Sequence, residues 1–188
     1  MVFPYNALGL SHRFMKEHIP LGGVCIDGTA GKGRDTLFLA QLVGESGRVL
    51  AFDIQREAVE ATKSLLSEHK IENTEVFLAC HSTMADYAEE NTVDAIMFNF
   101  GWLPGGDHNR FSHGETSCLA IEKGLGLLKT GGVMSLCLYC GKETGFEEKE
   151  SVLNYVKNLD QSRYSVLLAD FINRKNNPPV VVFITKEK

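Results

Sequence analysis

No stretch of this 188-residue chain approaches the ~18 consecutive apolar residues of a membrane span, so no membrane role is expected. The segment from Met1 to Pro20 also lacks the apolar core of a secretion signal. It carries Arg13, Lys16, Glu17 and two histidines instead, which predicts a cytoplasmic chain. Cysteine is scarce and odd in number: Cys25, Cys80, Cys118, Cys137 and Cys140 are scattered, which argues against a disulfide framework. Cys137 and Cys140 have C-x-x-C spacing, but no second pair exists and Leu and Tyr lie between them in an apolar run. A buried strand is therefore favoured over a zinc or redox site, and no metal is expected. An excess of positive charge is missing as well. The net charge of −5 counts against general affinity for nucleic acid and leaves room only for a local basic patch. Repeats, low-complexity tracts and linkers are absent, so residues 1–188 are read as one domain, and 44% hydrophobic content suits a packed core.

What is present is an alternation of short β-rich runs with helix-length amphipathic stretches, the pattern of a parallel sheet with crossover helices. Strands are expected at Gly23–Asp27, Arg48–Asp53, Thr74–Ala79, Val93–Phe98 and Val133–Tyr139. Helices are expected at Arg34–Val43, Arg56–His69 and Glu115–Leu128. In the second helix Ala58, Ala61, Leu65 and Leu66 make the apolar stripe, with Glu57, Glu60, Lys63 and Glu68 toward water. Gly131-Gly132 is read as stopping the third helix before the next strand. A helix over Gly145–Leu159 precedes two runs, Tyr164–Ile172 and Val180–Thr185. The connection between them is too short for a crossover helix, so they should pair antiparallel. The fold expected is a Rossmann-like α/β domain: a seven-stranded, doubly wound, mostly parallel sheet with an antiparallel C-terminal hairpin. A short helix at Ala7–His18 precedes the first strand, as either a packing cap or a lid over the site.

The run Val24-Cys25-Ile26-Asp27 ends in an acidic residue and enters the loop Asp27-Gly28-Thr29-Ala30-Gly31-Lys32-Gly33. Glycines permit a tight turn and a close backbone approach by a ligand. Asp53 lies 26 residues after Asp27, at the end of the next strand, where a carboxylate can accept both ribose hydroxyls of an adenosine; it could also cap the following helix. The spacing of Gly31 and Gly33 is not G-x-G-x-x-G, and a carboxylate at Asp27 would repel a pyrophosphate while suiting a methionyl ammonium. The cofactor expected is S-adenosyl-L-methionine rather than a nicotinamide dinucleotide.

Val24–Thr36, Phe52-Asp53-Ile54-Gln55, Phe98–His108, the run 145–150, Asp170-Phe171-Ile172-Asn173 and Asn177-Pro178-Pro179 together resemble the bacterial rRNA methylase family, over nearly the whole chain. Members of that family are associated with methylation of 5-aminomethyl-2-thiouridine at the tRNA wobble position. The resemblance implies a class I methyltransferase fold and transfer of a methyl group to the aminomethyl nitrogen of a wobble uridine. The family often carries Asp-x-His after the third strand. This chain has Ala79-Cys80-His81, which leaves His81 and Ser82 as the expected cofactor neighbours. The cofactor set is then Asp27, Thr29, Gly31, Gly33, Asp53, Gln55, His81 and Ser82.

Asn99-Phe100-Gly101-Trp102-Leu103-Pro104 follows the fourth strand and is similar in placement to the Asn-Pro-Pro-aromatic motif of amino-group methyltransferases, without its pair of prolines. An Asn oxygen can accept hydrogen bonds from an amine and aim its lone pair at a methyl carbon. Trp102 is a candidate stacking face for a base, or else a core aromatic. Asp107 and His108 are the best-placed acceptors for the proton an alkyl ammonium must lose, with His12 and Tyr139 as weaker substrate-side candidates. Arg13, Lys16, Arg110, Lys142, Arg174 and Lys175 flank the expected pocket and could neutralise phosphates of an RNA, in a patch completed by a second subunit of a homodimer. The partner expected is RNA, most of all the tRNA anticodon region. The rival readings are an rRNA or small-amine methyltransferase, a cofactor-binding scaffold without turnover, and a nicotinamide oxidoreductase.

Overall fold

The computed structural model describes residues 6–101, 114–139 and 142–188. Its elements run α1 (Ala7–His18), β1 (Val24–Asp27), α2 (Arg34–Val43), β2 (Arg48–Asp53), α3 (Arg56–Glu68) and β3 (Thr74–Leu78). A 3₁₀ turn (His81–Asp86) follows, then β4 (Val93–Phe100), α4 (Gly114–Leu127), β5 (Leu128–Leu138), α5 (Lys142–Lys157), β6 (Tyr164–Ala169) and β7 (Val180–Lys186).

The strands form one sheet in the order β3-β2-β1-β4-β5-β7-β6. β1 pairs parallel with β2 and with β4, β5 pairs parallel with β4, and β7 is antiparallel to both β5 and β6. The expected sheet and its terminal hairpin are both present. The strand order reverses between β1 and β4, and the crevice beyond their carboxyl ends is where an open α/β sheet binds ligands.

Alternation along each strand sends neighbouring residues to opposite layers. Cys25, Val49, Ala95, Met97 and Val133 pack with Met15 and Ile19 from the N-terminal segment and Leu39, Ala40 and Val43 of α2. Ile26, Leu50, Phe52, Ile96, Phe98 and Phe100 pack on the other side with Ala120, Ile121 and Leu125 of α4 and Val152 and Val156 of α5. α1 extends the first layer across β5 and β7, where Ala7 meets Cys137, Val181 and Phe183. Ser11 Oγ and Ser135 Oγ, both buried, lie 2.6 Å apart beneath it.

Several expectations need correction. Gly131-Gly132 does not separate helix from strand: β5 begins at Leu128, directly after α4. Leu128 pairs with Val93 and Val133 with Ala95, so the residues between bulge out of register, turned by Gly131 at φ 80°. β4 runs two residues beyond Phe98, which puts Asn99 inside the strand rather than after it. β3 stops at Leu78, β5 at Leu138 and β6 at Ala169, while β7 reaches Lys186. α5 spans Lys142–Lys157, earlier than the periodicity implied. In α3 Ala61 is exposed, and the buried stripe is Ala58, Val59, Thr62 and Leu66, because Thr62 turns its hydroxyl to the carbonyl of Gly31. Cys137 is buried within β5 as expected, and Cys140 lies outside the described residues. Among the described residues no cluster of metal-binding side chains occurs, and no helix is long and apolar enough to cross a membrane.

Candidate active site

The loop after β1 is held from inside. Asp27 is fully buried; its Oδ1 accepts the N–H of Thr29 at 3.0 Å and its Oδ2 accepts the hydroxyl of Thr36 at 2.6 Å. Burial, and next the charge of Asp35, push its carboxyl up from 3.8 to about 7, against the pull of its two hydrogen bonds. Asp27 therefore braces the loop that a ligand would meet. Gly33 sits at φ +79° with Thr62 Cα 2.9 Å from where a Cβ would be, so only glycine lets α2 start this close to α3. At Gly28 a Cβ would fall 2.2 Å from the ring of Phe98.

Asp53, at the tip of β2, organises the other wall. Its Oδ2 accepts the N–H of Gly31 at 2.9 Å and its Oδ1 accepts the N–H of Gln55 at 2.9 Å. Each carboxylate oxygen retains a lone pair, and the side chain is only partly buried, so two further hydroxyl donors can be accepted. The bond to Gln55 also shows Asp53 serving the start of α3. Gln55 itself is buried.

His81 opens the 3₁₀ turn, with Nδ1 3.2 Å from the carbonyl of Gly28 and its ring edge-on to Phe98 and Phe100. Burial holds this imidazole below its ordinary value, which favours the neutral ring. With Nδ1–H donating, Nε2 is a bare acceptor, buried and without a partner among the described residues. Ser82, beside it, donates its hydroxyl to Cys80 Sγ at 3.1 Å.

The third wall is the end of β4. Asn99 donates its backbone N–H to Thr29 Oγ1 at 2.7 Å, which ties this strand end to the loop after β1. Its side-chain Nδ2 donates to Asp35 Oδ2 at 2.6 Å. Its Oδ1 is buried with no hydrogen-bond partner among the described residues. The other oxygen of Asp35 lies 2.6 Å from Nε2 of His12, whose ring stacks flat on Phe38 at 4.0 Å. Tyr139 stands beside Gly101, whose Cβ would meet it at 3.1 Å. Its phenol is pushed up to about 12, mainly by burial and then by Cys137 and Asp35, so it stays a donor at neutral pH.

The structure thus gathers Asp27, Thr29, Gly31, Gly33, Asp53, Gln55, His81, Asn99 and His12 around the carboxyl ends of β1, β2 and β4, with Tyr139 at the end of β5. Trp102, Asp107, His108 and Arg110 lie outside the described residues. Arg13 is exposed and pairs with Glu17 one turn on, and Lys16, Arg174 and Lys175 are exposed. The residue that sequence reasoning missed is Asp35. In Gly33-Arg34-Asp35-Thr36 it reads as an acidic first-turn residue complementing the helix dipole. Its bonds to His12 and Asn99 are tertiary and leave no local signal.

A sheet of this order with an acidic residue at the tips of β1 and β2 has the layout of a class I S-adenosylmethionine-dependent methyltransferase, and similarity to solved members of that class identifies it as one. Residues 49–185 match the family described as "Putative rRNA methylase", and the chain belongs to that family. A protein of Arabidopsis thaliana named tRNA (mnm(5)s(2)U34)-methyltransferase, chloroplastic, is 34% identical over 97% of this chain and 70% of its own length. The structure is similar to that of a "putative rRNA-methylase" from Clostridium thermocellum, with a TM-score of 0.96 and 42% identity over 98% of this chain and 100% of that one. It is also similar to a "putative methyltransferase" from Streptococcus mutans in complex with SAH, with a TM-score of 0.89 and 35% identity over 99% of each chain. The cofactor expected from the loop is thereby the cofactor of the family. The partly buried carboxylate of Asp53, with its spare lone pairs, fits the ribose of such a group, and the unpartnered Nε2 of His81 fits a further donor.

Proposed function

We propose that this methyltransferase acts on the aminomethyl nitrogen of a modified wobble uridine in tRNA. The observation that carries the reading is Oδ1 of Asn99: a buried acceptor with no partner among the described residues, on the strand end bonded to the cofactor loop. An amine supplies the N–H such an atom lacks, and accepting that N–H turns the nitrogen lone pair toward the methyl donor. The name of the Arabidopsis relative supports the wobble uridine as the particular acceptor.

The cofactor supplies an electrophilic methyl group on sulfonium and leaves as the thioether S-adenosylhomocysteine. The protein's part is positional. Asp53 accepts the ribose hydroxyls, and Gly31 and Gly33 let the backbone come close. Asp27 keeps the loop braced through Thr29 and Thr36. His81 offers Nε2 to a donor on the cofactor side, with Ser82 next to it. Asn99 holds the amine, and Tyr139, still protonated at neutral pH, donates toward the acceptor side. The amine must shed a proton to attack; Asp107 and His108 are assigned that task, and Trp102 the stacking of the base, on their place in the sequence after Gly101.

The family description favours ribosomal RNA as a second acceptor. Incubation with methyl-labelled S-adenosylmethionine and either tRNA bearing 5-aminomethyl-2-thiouridine or ribosomal RNA, followed by nucleoside mass spectrometry, separates the two. Label on the wobble nucleoside supports the proposal. Label confined to ribosomal RNA, or none on that nucleoside while cofactor binds, rejects it.

A further inference from the structure

We infer that Asp35 is a positioning residue that sets which way the amide of Asn99 faces, and that His12 braces it from α1. The inference rests on the reading of Asn99 as the acceptor for the substrate amine. A primary amide can turn by half a rotation about its last bond, exchanging its oxygen and its NH₂ at nearly equal volume. Which atom faces the substrate is then decided by the neighbour on the other side.

Here that neighbour is a carboxylate. Ionised, it accepts and cannot donate, so the NH₂ of Asn99 is the group that satisfies Asp35 Oδ2 at 2.6 Å. The reversed amide would set two oxygens against each other at that separation. Oδ1 is thereby left as the free atom, in agreement with its lack of a partner. A hydroxyl at position 35 would impose no such choice, because it can donate as well as accept.

Asp35 is itself held. It is 7% exposed, and a carboxylate that far from water needs hydrogen bonds to both oxygens. His12 provides the second at 2.6 Å, part-buried, with its ring kept in plane by Phe38 at an interplanar angle of 2°. α1 is anchored in turn by Ala7, Ser11 and Met15, all buried, with Ser11 bonded to Ser135. α1, the element before β1, thus reaches Asn99 through a chain of two short hydrogen bonds.

The test is a pair of single variants, Asp35→Asn and Asn99→Asp, with the double variant that combines them. In Asp35→Asn the neighbour can donate or accept, so the amide of Asn99 is no longer fixed. We expect kcat to fall about 100-fold while the affinity for S-adenosylmethionine and KM for the tRNA stay within about threefold. Asn99→Asp sets two carboxylates face to face and falls further. The double variant restores one donor and one carboxylate across the same contact, leaving a free carboxylate oxygen toward the amine, and should recover at least about tenfold over either single variant. Losses that simply add, or a fall in cofactor binding that accounts for the loss in rate, would overturn the assignment. The side-chain NH₂ of Asn99 gives a readout independent of any acceptor. In ¹⁵N spectra of the wild-type protein it should be shifted by the carboxylate and exchange slowly with water. A freely exchanging NH₂ overturns the inference even if tRNA is methylated. A protected one supports it even if tRNA proves the wrong acceptor.

Discussion

Asp35 and Asn99 stand 64 residues apart in the chain and meet at 2.6 Å, carboxylate oxygen against amide NH₂. One comes from the first turn of α2 and the other from the end of β4, so the contact spans the crevice where the strand order reverses. Replacing Asn99 by alanine removes the unpartnered acceptor and leaves Asp35 with one bond fewer. The expected result is a fall in kcat of about 100-fold with cofactor affinity nearly unchanged, measured by steady-state methyl transfer and calorimetry. An equal loss in cofactor affinity would place Asn99 in cofactor binding instead.

Asp53 fixes Gly31 and Gln55 and, on the proposed reading, offers its remaining lone pairs to a ribose. Asp53→Ala should weaken S-adenosylmethionine binding about 10- to 100-fold, the scale of losing charge-assisted hydrogen bonds. Asp53→Asn, which keeps the shape but presents an NH₂ toward one of the two backbone donors, should fall between wild type and alanine. Isothermal titration calorimetry checks both.

The packing between loop and strands predicts an intolerance that chemistry alone would not. Gly28→Ala puts a methyl group 2.2 Å from a carbon of the Phe98 ring, so the ring or the loop must move. Phe98 is 1% exposed and stacks on Phe100 at 4.9 Å, which leaves it little room. A loss of about 1–3 kcal/mol is expected, read as a lowered denaturation midpoint in urea. A midpoint equal to wild type would show that the ring yields freely.

Asp27 makes folding stability depend on pH. Its carboxyl titrates near 7 in the folded protein and near 3.8 when free, so the fold favours the protonated form. The stability this contributes is present in full below about 3.8 and is lost as pH rises through about 7. Urea unfolding of the cofactor-free protein should therefore show wild type losing stability relative to Asp27→Asn between about pH 4 and about pH 7, with little further change above that. A constant difference across that range would contradict the raised value.

The parallel strands and the antiparallel hairpin were legible because each rests on a local rule, whereas the strand order does not. Alternation and turn residues mark the strands, and the connection expected at 173–179, which the structure extends to 170–179, is too short to cross over. Asp27 and Asp53 were legible for the same reason, each closing an apolar strand. Gly131-Gly132 misled because a glycine pair marks a helix stop and a bulge alike, and the register of β4 against β5 decides between them. Ala61 and Thr62 misled in a similar way. A buried threonine is invisible to an apolar-stripe reading until its hydroxyl is seen to reach Gly31. Asp35 was hidden more deeply. Its contacts are with His12 and Asn99, which sequence places 23 residues before it and 64 after it. No periodicity encodes a meeting of that kind.

A ternary structure with S-adenosylhomocysteine and an anticodon stem-loop bearing 5-aminomethyl-2-thiouridine bears most directly on the acceptor site. The aminomethyl nitrogen should lie about 3 Å from Asn99 Oδ1, with the NH₂ of Asn99 still bonded to Asp35. A nitrogen held elsewhere, with Asn99 Oδ1 bonded to another group, would contradict it.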